Sequence, residues 1–342
     1  MTTEPAEPVT VSPSRKTMIM RLVRYGLALA AVIFVGLAVA DRWQQVRDQI
    51  GQINIWALLV STLAMFAVIG CGMMVWRAVL ADLGSPLAIR PAARVMLLGQ
   101  LGKYVPGSLW SVMAQMELAS DLGVPRRRSG TASLVFNVLG LGVGLLLALL
   151  ALPTLLASSE VPAWVTWVIA ASPLGLICLA PPILTRLTNK ALGVMRREPL
   201  EHPFSWRGSL TAFAWTVAMW VFTGLHIWVL GVALGADPAA FVVPALGGYA
   251  AAWAAGFIFV LAPAGIGVRE VLLTVTLAPA LPGGAAAALT VAVISRAISV
   301  VCDVVAAVSA HAMGRQPRGG LTAQTAPEGG SVRARAHDEV GQ

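Results

Sequence analysis

The sequence predicts an all-α polytopic membrane protein with about six spanning helices and two re-entrant helical hairpins arranged as an inverted repeat. Three observations carry this reading. The 342 residues are 57% hydrophobic and only 12% charged, where an average soluble domain has roughly 25% charged residues to cover its surface. Six charge-poor runs approach or exceed the roughly 20 apolar residues needed to cross roughly 30 Å of hydrocarbon. Two further apolar regions are broken by Pro and Gly, at places where the distribution of Lys and Arg requires the chain to turn back.

Residues 1–20 are rich in Pro, Thr, Ser and Glu, and residues 314–342 in Gly, Arg, Ala and Gln. Both are expected to be disordered tails, since such compositions bury too little apolar surface to order a chain. The membrane domain is expected to span 21–313. Its candidate spans are 22–40, 54–76, 131–157, 161–182, 209–234 and 285–312. The first follows Arg15, Lys16, Arg21 and Arg24 and ends Ala38-Val39-Ala40, so it resembles a signal peptide. An uncleaved anchor is the expectation.

Topology follows from where Lys and Arg fall, because short basic loops stay on the cytoplasmic side. The chain before residue 25 holds four. Seven lie in 77–128: Arg77, Arg90, Arg94, Lys103, Arg126, Arg127 and Arg128. Five lie in 183–208 and four in the C-terminal tail, while the opposite side has only Arg42 and Arg47. Both termini are therefore expected in the cytoplasm of a multi-pass cell-membrane protein. Region 92–120 then begins and ends on the cytoplasmic side, and region 239–282 begins and ends on the other. Each must enter and return. Each carries a break suited to a hairpin, Val105-Pro106-Gly107 in one and Pro263-Ala264-Gly265-Ile266-Gly267 in the other, since Pro removes a backbone donor and Gly tolerates turns. A long helix follows each hairpin. Inverted repeats with broken helices are an architecture of membrane transporters.

Composition also narrows the chemistry. The net charge is +8, but no basic, aromatic-interleaved surface is visible, so no nucleic-acid partner is expected. Cys71, Cys178 and Cys302 lie in apolar runs without metal or redox spacing and read as small buried hydrophobes. His226 reads as a packed histidine, and Gln100 and Asn137 as polar bridges between helices. No nucleotide-binding, hydrolase or metalloprotease motif occurs in a usable context. No cofactor and no enzymatic activity are expected.

The breaks are the places for function. Non-helical backbone at membrane depth is tolerated only against protein or a wet cavity. A helix starting there presents unpaired N–H groups and a positive dipole end, which suit a phosphate. Two such ends are expected, at Gly107–Ser108 and Gly267–Val268. Lys103, Tyr104 and Pro106 precede or form the first break, and Ser108 and Trp110 follow it. Pro263 and Gly265 form the second, which Arg269 and Glu270 follow. Arg296 and Asp303 stand seven residues apart, on one face of the last helix. Charges inside spans either pair with one another or serve function, and the sequence leaves both readings open for these four.

Gly102-Lys103-Tyr104-Val105-Pro106-Gly107-Ser108-Leu109-Trp110 resembles the G-K-Y-x-P-G-x-x-W motif of the lysylphosphatidylglycerol synthase transmembrane, or flippase-like, family. Pro263 to Glu270 resembles the family's second motif, P-G-G-x-G-x-R-E, with Ala264 in place of a usual Gly. The resemblance covers roughly residues 20–312. It implies translocation of a lipid between leaflets, with residues 102–110 and 263–270 lining a cavity. The substrate would be a membrane phospholipid or a polyprenyl-phosphate lipid. No segment after 314 reads as the soluble synthase domain of bifunctional members, so headgroup synthesis is expected of a separate synthase or glycosyltransferase. Two other readings stay open. One is a transferase acting on a lipid-linked substrate, with Glu117 and Asp121 as nominees. The other is a non-transporting partner subunit.

Overall fold

A computed structural model describes residues 51, 53–104, 110–158, 162–194, 198–258 and 267–313. The two tails and the span expected at 22–40 lie outside them. Among the described residues there is no strand, and four helices are long and apolar enough to cross a membrane. They are Ile55–Asp82, Arg126–Ala157, Trp206–Ala233 and Gly284–Ala312.

The helices, in chain order, are α1 (Ile55–Asp82), α2 (Ile89–Gln100), α3 (Trp110–Ser120), α4 (Arg126–Ala148), α5 (Leu152–Ala157) and α6 (Ala163–Ala170). Then come α7 (Ser172–Gly175), α8 (Pro181–Val194), α9 (Trp206–Ala233), α10 (Tyr249–Ile258), α11 (Val268–Leu277) and α12 (Gly284–Met313). A single 3₁₀ turn, Leu149–Ala151, joins α4 to α5, so the two form one span.

Local sequence sets the ends. The side chain of Asn54 accepts the Ala57 N–H at 2.8 Å and so caps α1, supplying an acceptor for a donor that the helix leaves unpaired. Its other end closes on Gly84, whose φ of +80° lets Ser85 N–H bond back to Leu80 O. Ser205 caps α9 through Gly208 N–H at 2.9 Å. Its hydroxyl also donates to Asp82 at 2.5 Å, pinning the end of α1 to the start of α9. Ser61 near the start of α1 meets His226 near the end of α9, so the two helices pack antiparallel along their length.

Burial is arranged for lipid. Leu59, Val60 and Leu63 on α1, Leu134 and Val138 on α4, and Val301, Val304 and Val308 on α12 are exposed. In hydrocarbon such side chains need no partner. Small and polar residues face inward: Ser61, Ser129, Ser133, Thr216, Ser295 and a run of alanines on α10 are buried. Helices in a membrane approach through small side chains in this way.

The segment expected as one span at 161–182 differs. It is broken into α6, α7, a 3₁₀ turn at Leu176–Leu179 and the start of α8. Proline is the reason. Pro173 and Pro181 cannot donate to the carbonyls four residues back, and Ala180, before Pro181, is extended at φ −61°, ψ 132°. The expected total of six spans is therefore not reached among the described residues.

A pair of short helices followed by a long helix occurs twice. In the first, α2 packs against α3 with residues 105–109 between them, and α4 follows. In the second, α10 packs against α11 with 259–266 between them, and α12 follows. Each pair touches both long helices: α2 lies on α12 and α3 on α4, while α10 lies on α4 and α11 on α12. Gly99 and Gly102 permit the first pair to close. A Cβ on Gly102 would fall 2.6 Å from the backbone N of Ser111, and one on Gly99 2.3 Å from the Gln115 side chain.

Candidate functional site

The 3₁₀ turn Leu101–Tyr104 ends α2 and carries two side chains to α12. Lys103 Nζ lies 2.6 Å from Asp303 Oδ2. Tyr104 donates its hydroxyl to the same oxygen at 2.5 Å. The ammonium also sits 5.4 Å from the centroid of the Tyr104 ring, within the range of a cation–π contact. Asp303 is 10% exposed and Lys103 38%. The contact therefore has a closed side at the carboxylate and an open side at the lysine.

The second unit supplies Arg269 and Glu270. Gly267 begins α11 at φ +91°, ψ −61°, a conformation that L side chains resist. Its N–H donates to Glu270 Oε2 at 2.7 Å. The buried Glu270 carboxylate thus turns back onto the N-terminus of its own helix, where the dipole favours negative charge. The Arg269 guanidinium carbon lies over the Tyr249 ring on α10, 4.3 Å from its centroid, a cation–π contact that arginine makes more often than lysine. Arg269 lies within electrostatic reach of Arg296, Glu270, Tyr104 and Asp303. Tyr104 in turn feels Asp303, Arg296 and Arg269.

Of the residues singled out from sequence, Lys103, Tyr104 and Asp303 meet directly, and Arg269, Glu270 and Arg296 are near enough to act through charge. They come from the end of α2, the start of α11 and one face of α12. Lys103, Arg269 and Arg296 are part-buried, and Glu270 and Asp303 are buried. Three cations grouped in this way set up a local field that favours an anion. Of the other expected site residues, Gly267 starts α11 with its N–H on Glu270. Trp110 stands at the first position of α3, half-exposed. Pro106, Gly107, Ser108, Pro263 and Gly265 lie outside the described residues.

Tyr249 was not legible as a site residue, because a Tyr in an apolar run carries no motif. A second buried network was missed as well. Ser61 Oγ lies 2.6 Å from His226 Nδ1, and His226 Nε2 lies 2.9 Å from Ser295 Oγ. His226 is fully buried and ties α1, α9 and α12 together one residue from Arg296. A third network joins Trp76 Nε1 to Ser133 Oγ at 3.0 Å and Ser133 to Gln115, which locks the first helix pair onto α1 and α4.

Gln100 and Asn137 do not bridge helices through the hydrogen bonds seen. Gln100 points to Met96 Sδ at 3.8 Å and Asn137 to Ser133 O at 2.9 Å, each within its own helix. Glu117 is exposed and held by Arg126 at 2.7 Å, and so is the solvated partner of an arginine. Arg127 and Arg128 grip Glu201, and Arg128 also donates to Gly84 O at 2.9 Å. These two guanidiniums hold the Glu201 carboxyl below its usual range. Among the described residues no group of three His, Cys, Asp or Glu side chains could hold a metal ion.

Compared with known families, residues 23–307 match the family described as Lysylphosphatidylglycerol synthase TM region. Among curated proteins, none matches the chain.

Proposed function

The chain belongs to the lysylphosphatidylglycerol synthase TM region family, and from that membership and the geometry above we propose that it moves a phosphate-bearing lipid between the leaflets of the cell membrane. The observation that carries the proposal is the meeting of Lys103 and Tyr104 with Asp303 on the last helix, with Arg269 within electrostatic reach. A lipid phosphate is an anion of the kind that such a group of cations attracts. Its hydroxyl, sugar or aminoacyl substituents would extend into water while its tails remain in the bilayer.

In this reading both broken units are re-entrant hairpins of an inverted repeat, with both termini in the cytoplasm. Their exchange of contacts with α4 and α12 supports it, because a site shared by two repeats opens to either side when one rocks against the other. Synthesis of the headgroup would belong to a separate synthase or glycosyltransferase.

The experiment is leaflet exchange in proteoliposomes, followed with acyl-labelled fluorescent lipids and dithionite quenching. Protein-dependent exchange of phosphatidylglycerol, lost in Arg269→Ala with folded protein retained, is the expected result. Unchanged exchange in Arg269→Ala would overturn the assignment of the site. Absence of exchange for every phosphate-bearing lipid tested would overturn the function.

A further inference from the structure

Both carboxylates of the cluster occupy places that a phosphate would take. Glu270 receives the Gly267 N–H at the start of α11 at 2.7 Å. A single oxygen of Asp303 receives both the Lys103 ammonium at 2.6 Å and the Tyr104 hydroxyl at 2.5 Å. A helix N-terminus and a lysine–tyrosine pair are both ordinary donors to phosphate oxygens. The two differ in what they join. Glu270 bonds within its own turn and caps α11. Asp303 bonds across 199 residues, fastening the end of α2 to the last helix.

Resting on the lipid-translocation reading, we propose that Asp303 is an internal competitor of the lipid phosphate: it holds Lys103 and Tyr104 while the site is empty and yields them when a phosphate-bearing headgroup enters. The accessibilities give the direction of entry. Lys103 is 38% exposed and Asp303 10%, so an incoming anion meets the lysine from its open side while the carboxylate lies on the closed side. The competition does two things. Without lipid, it keeps a part-buried ammonium paired, which avoids the cost of an isolated charge. With lipid, it lowers affinity, so that the headgroup leaves after crossing. It also ties occupancy to conformation, because the bond that the phosphate breaks is one that fastens the end of α2 to α12.

The test uses the full-length protein in detergent with acyl-labelled phosphatidylglycerol, read by fluorescence anisotropy, and acyl-labelled diacylglycerol as the phosphate-free control. Asp303→Asn removes the competing charge and leaves Lys103 and Tyr104 in place. It is expected to bind phosphatidylglycerol about tenfold more tightly than wild type, the scale of one charge-assisted hydrogen bond regained. Its leaflet exchange is expected to be slower, and diacylglycerol binding unchanged. Asp303→Glu, which restores a carboxylate, should bring affinity and exchange back toward wild type. If Asp303→Asn does not fold, Asp303→Ser carries the same comparison. Equal or weaker binding of phosphatidylglycerol by folded Asp303→Asn, with wild type binding normally, overturns the competition and leaves the lipid reading standing. Tighter binding of diacylglycerol as well would also overturn it, since the gain would not depend on phosphate. No binding of phosphatidylglycerol by wild type or variant overturns both.

Discussion

Tyr104 and Asp303, 199 residues apart, meet through a hydrogen bond of 2.5 Å. The oxygen that accepts it also accepts Lys103. The end of α2 is therefore fixed to the last helix by two donors on one acceptor. Tyr104→Phe deletes one donor and no charge. It is expected to lower stability by about 1–3 kcal/mol. Lys103→Met removes the ion-pair partner of Asp303 and is expected to cost more than Tyr104→Phe but less than the ~3–5 kcal/mol of a fully buried pair, since Lys103 is 38% exposed. Thermal melts of the purified protein decide the order; a larger loss for Tyr104→Phe would show that the ion pair is not the main tie.

Arg269 is placed by the Tyr249 ring as well as by charge. Tyr249→Leu removes the ring face while keeping an apolar side chain. A stability loss of about 0.5–2 kcal/mol and weaker lipid exchange are expected. Arg269→Lys keeps the charge but not the guanidinium and should recover only part of the exchange lost in Arg269→Ala. Full recovery by lysine would mean that charge alone matters at this position.

Close approach of the first helix pair makes Gly102 irreplaceable. A methyl there would meet backbone atoms of Trp110 and Ser111 at 2.6–2.8 Å, and backbone cannot step aside as a side chain can. Gly102→Ala is expected to cost about 1–3 kcal/mol, the usual range for overpacking. Gly70→Ala on α1 is the control, since nothing lies within 4 Å of its added carbon. It should be neutral or stabilising by up to about 1 kcal/mol, from helix propensity. Comparable destabilisation in both variants would refute the packing argument.

His226 is expected to be structural. It is fully buried between Ser61 and Ser295, and His226→Ala leaves two hydroxyls without their partner and a cavity behind. A loss of about 2–4 kcal/mol is expected, by analogy with large-to-small core changes. The preference among lipid headgroups should not change. A shift in headgroup preference would instead place His226 in the site.

Glu201 gives a pH signature outside the spans. Arg128, assisted by Arg127, lowers its carboxyl pKa. A depressed pKa means that the contribution to docking is present above the unfolded value and is lost as pH falls through the folded one. The protection factors of amides at residues 198–205, from which the intrinsic pH dependence of exchange has been divided out, should therefore be high near about pH 7 and fall as pH drops below the ordinary glutamate value. Protection factors in Glu201→Gln should no longer change over this interval. A pH response that persists in Glu201→Gln would assign it to another group.

The two motifs and the charges on α12 could be read without coordinates because each breaks an expectation of membrane sequences. Lys103, Arg269, Glu270, Arg296 and Asp303 are charges in apolar surroundings, and Pro106 and Pro263 interrupt runs that would otherwise be helical. Gln115, Ser61, Ser295 and Tyr249 could not be read in this way. A buried hydroxyl, amide or phenol is common in helices, and only a partner distant in sequence gives it a role.

The sequence by itself determined that this chain is helical, crosses a membrane several times and keeps unusual charges at two breaks. Hydropathy and proline act locally, on each segment alone, so one dimension suffices to read them. Only the tertiary structure decided that Lys103 and Tyr104 share one oxygen of Asp303 and that Arg269 lies on Tyr249. Those outcomes depend on which segments pack together and at what distance, and a pairing across 199 residues leaves no periodicity in the chain that forms it.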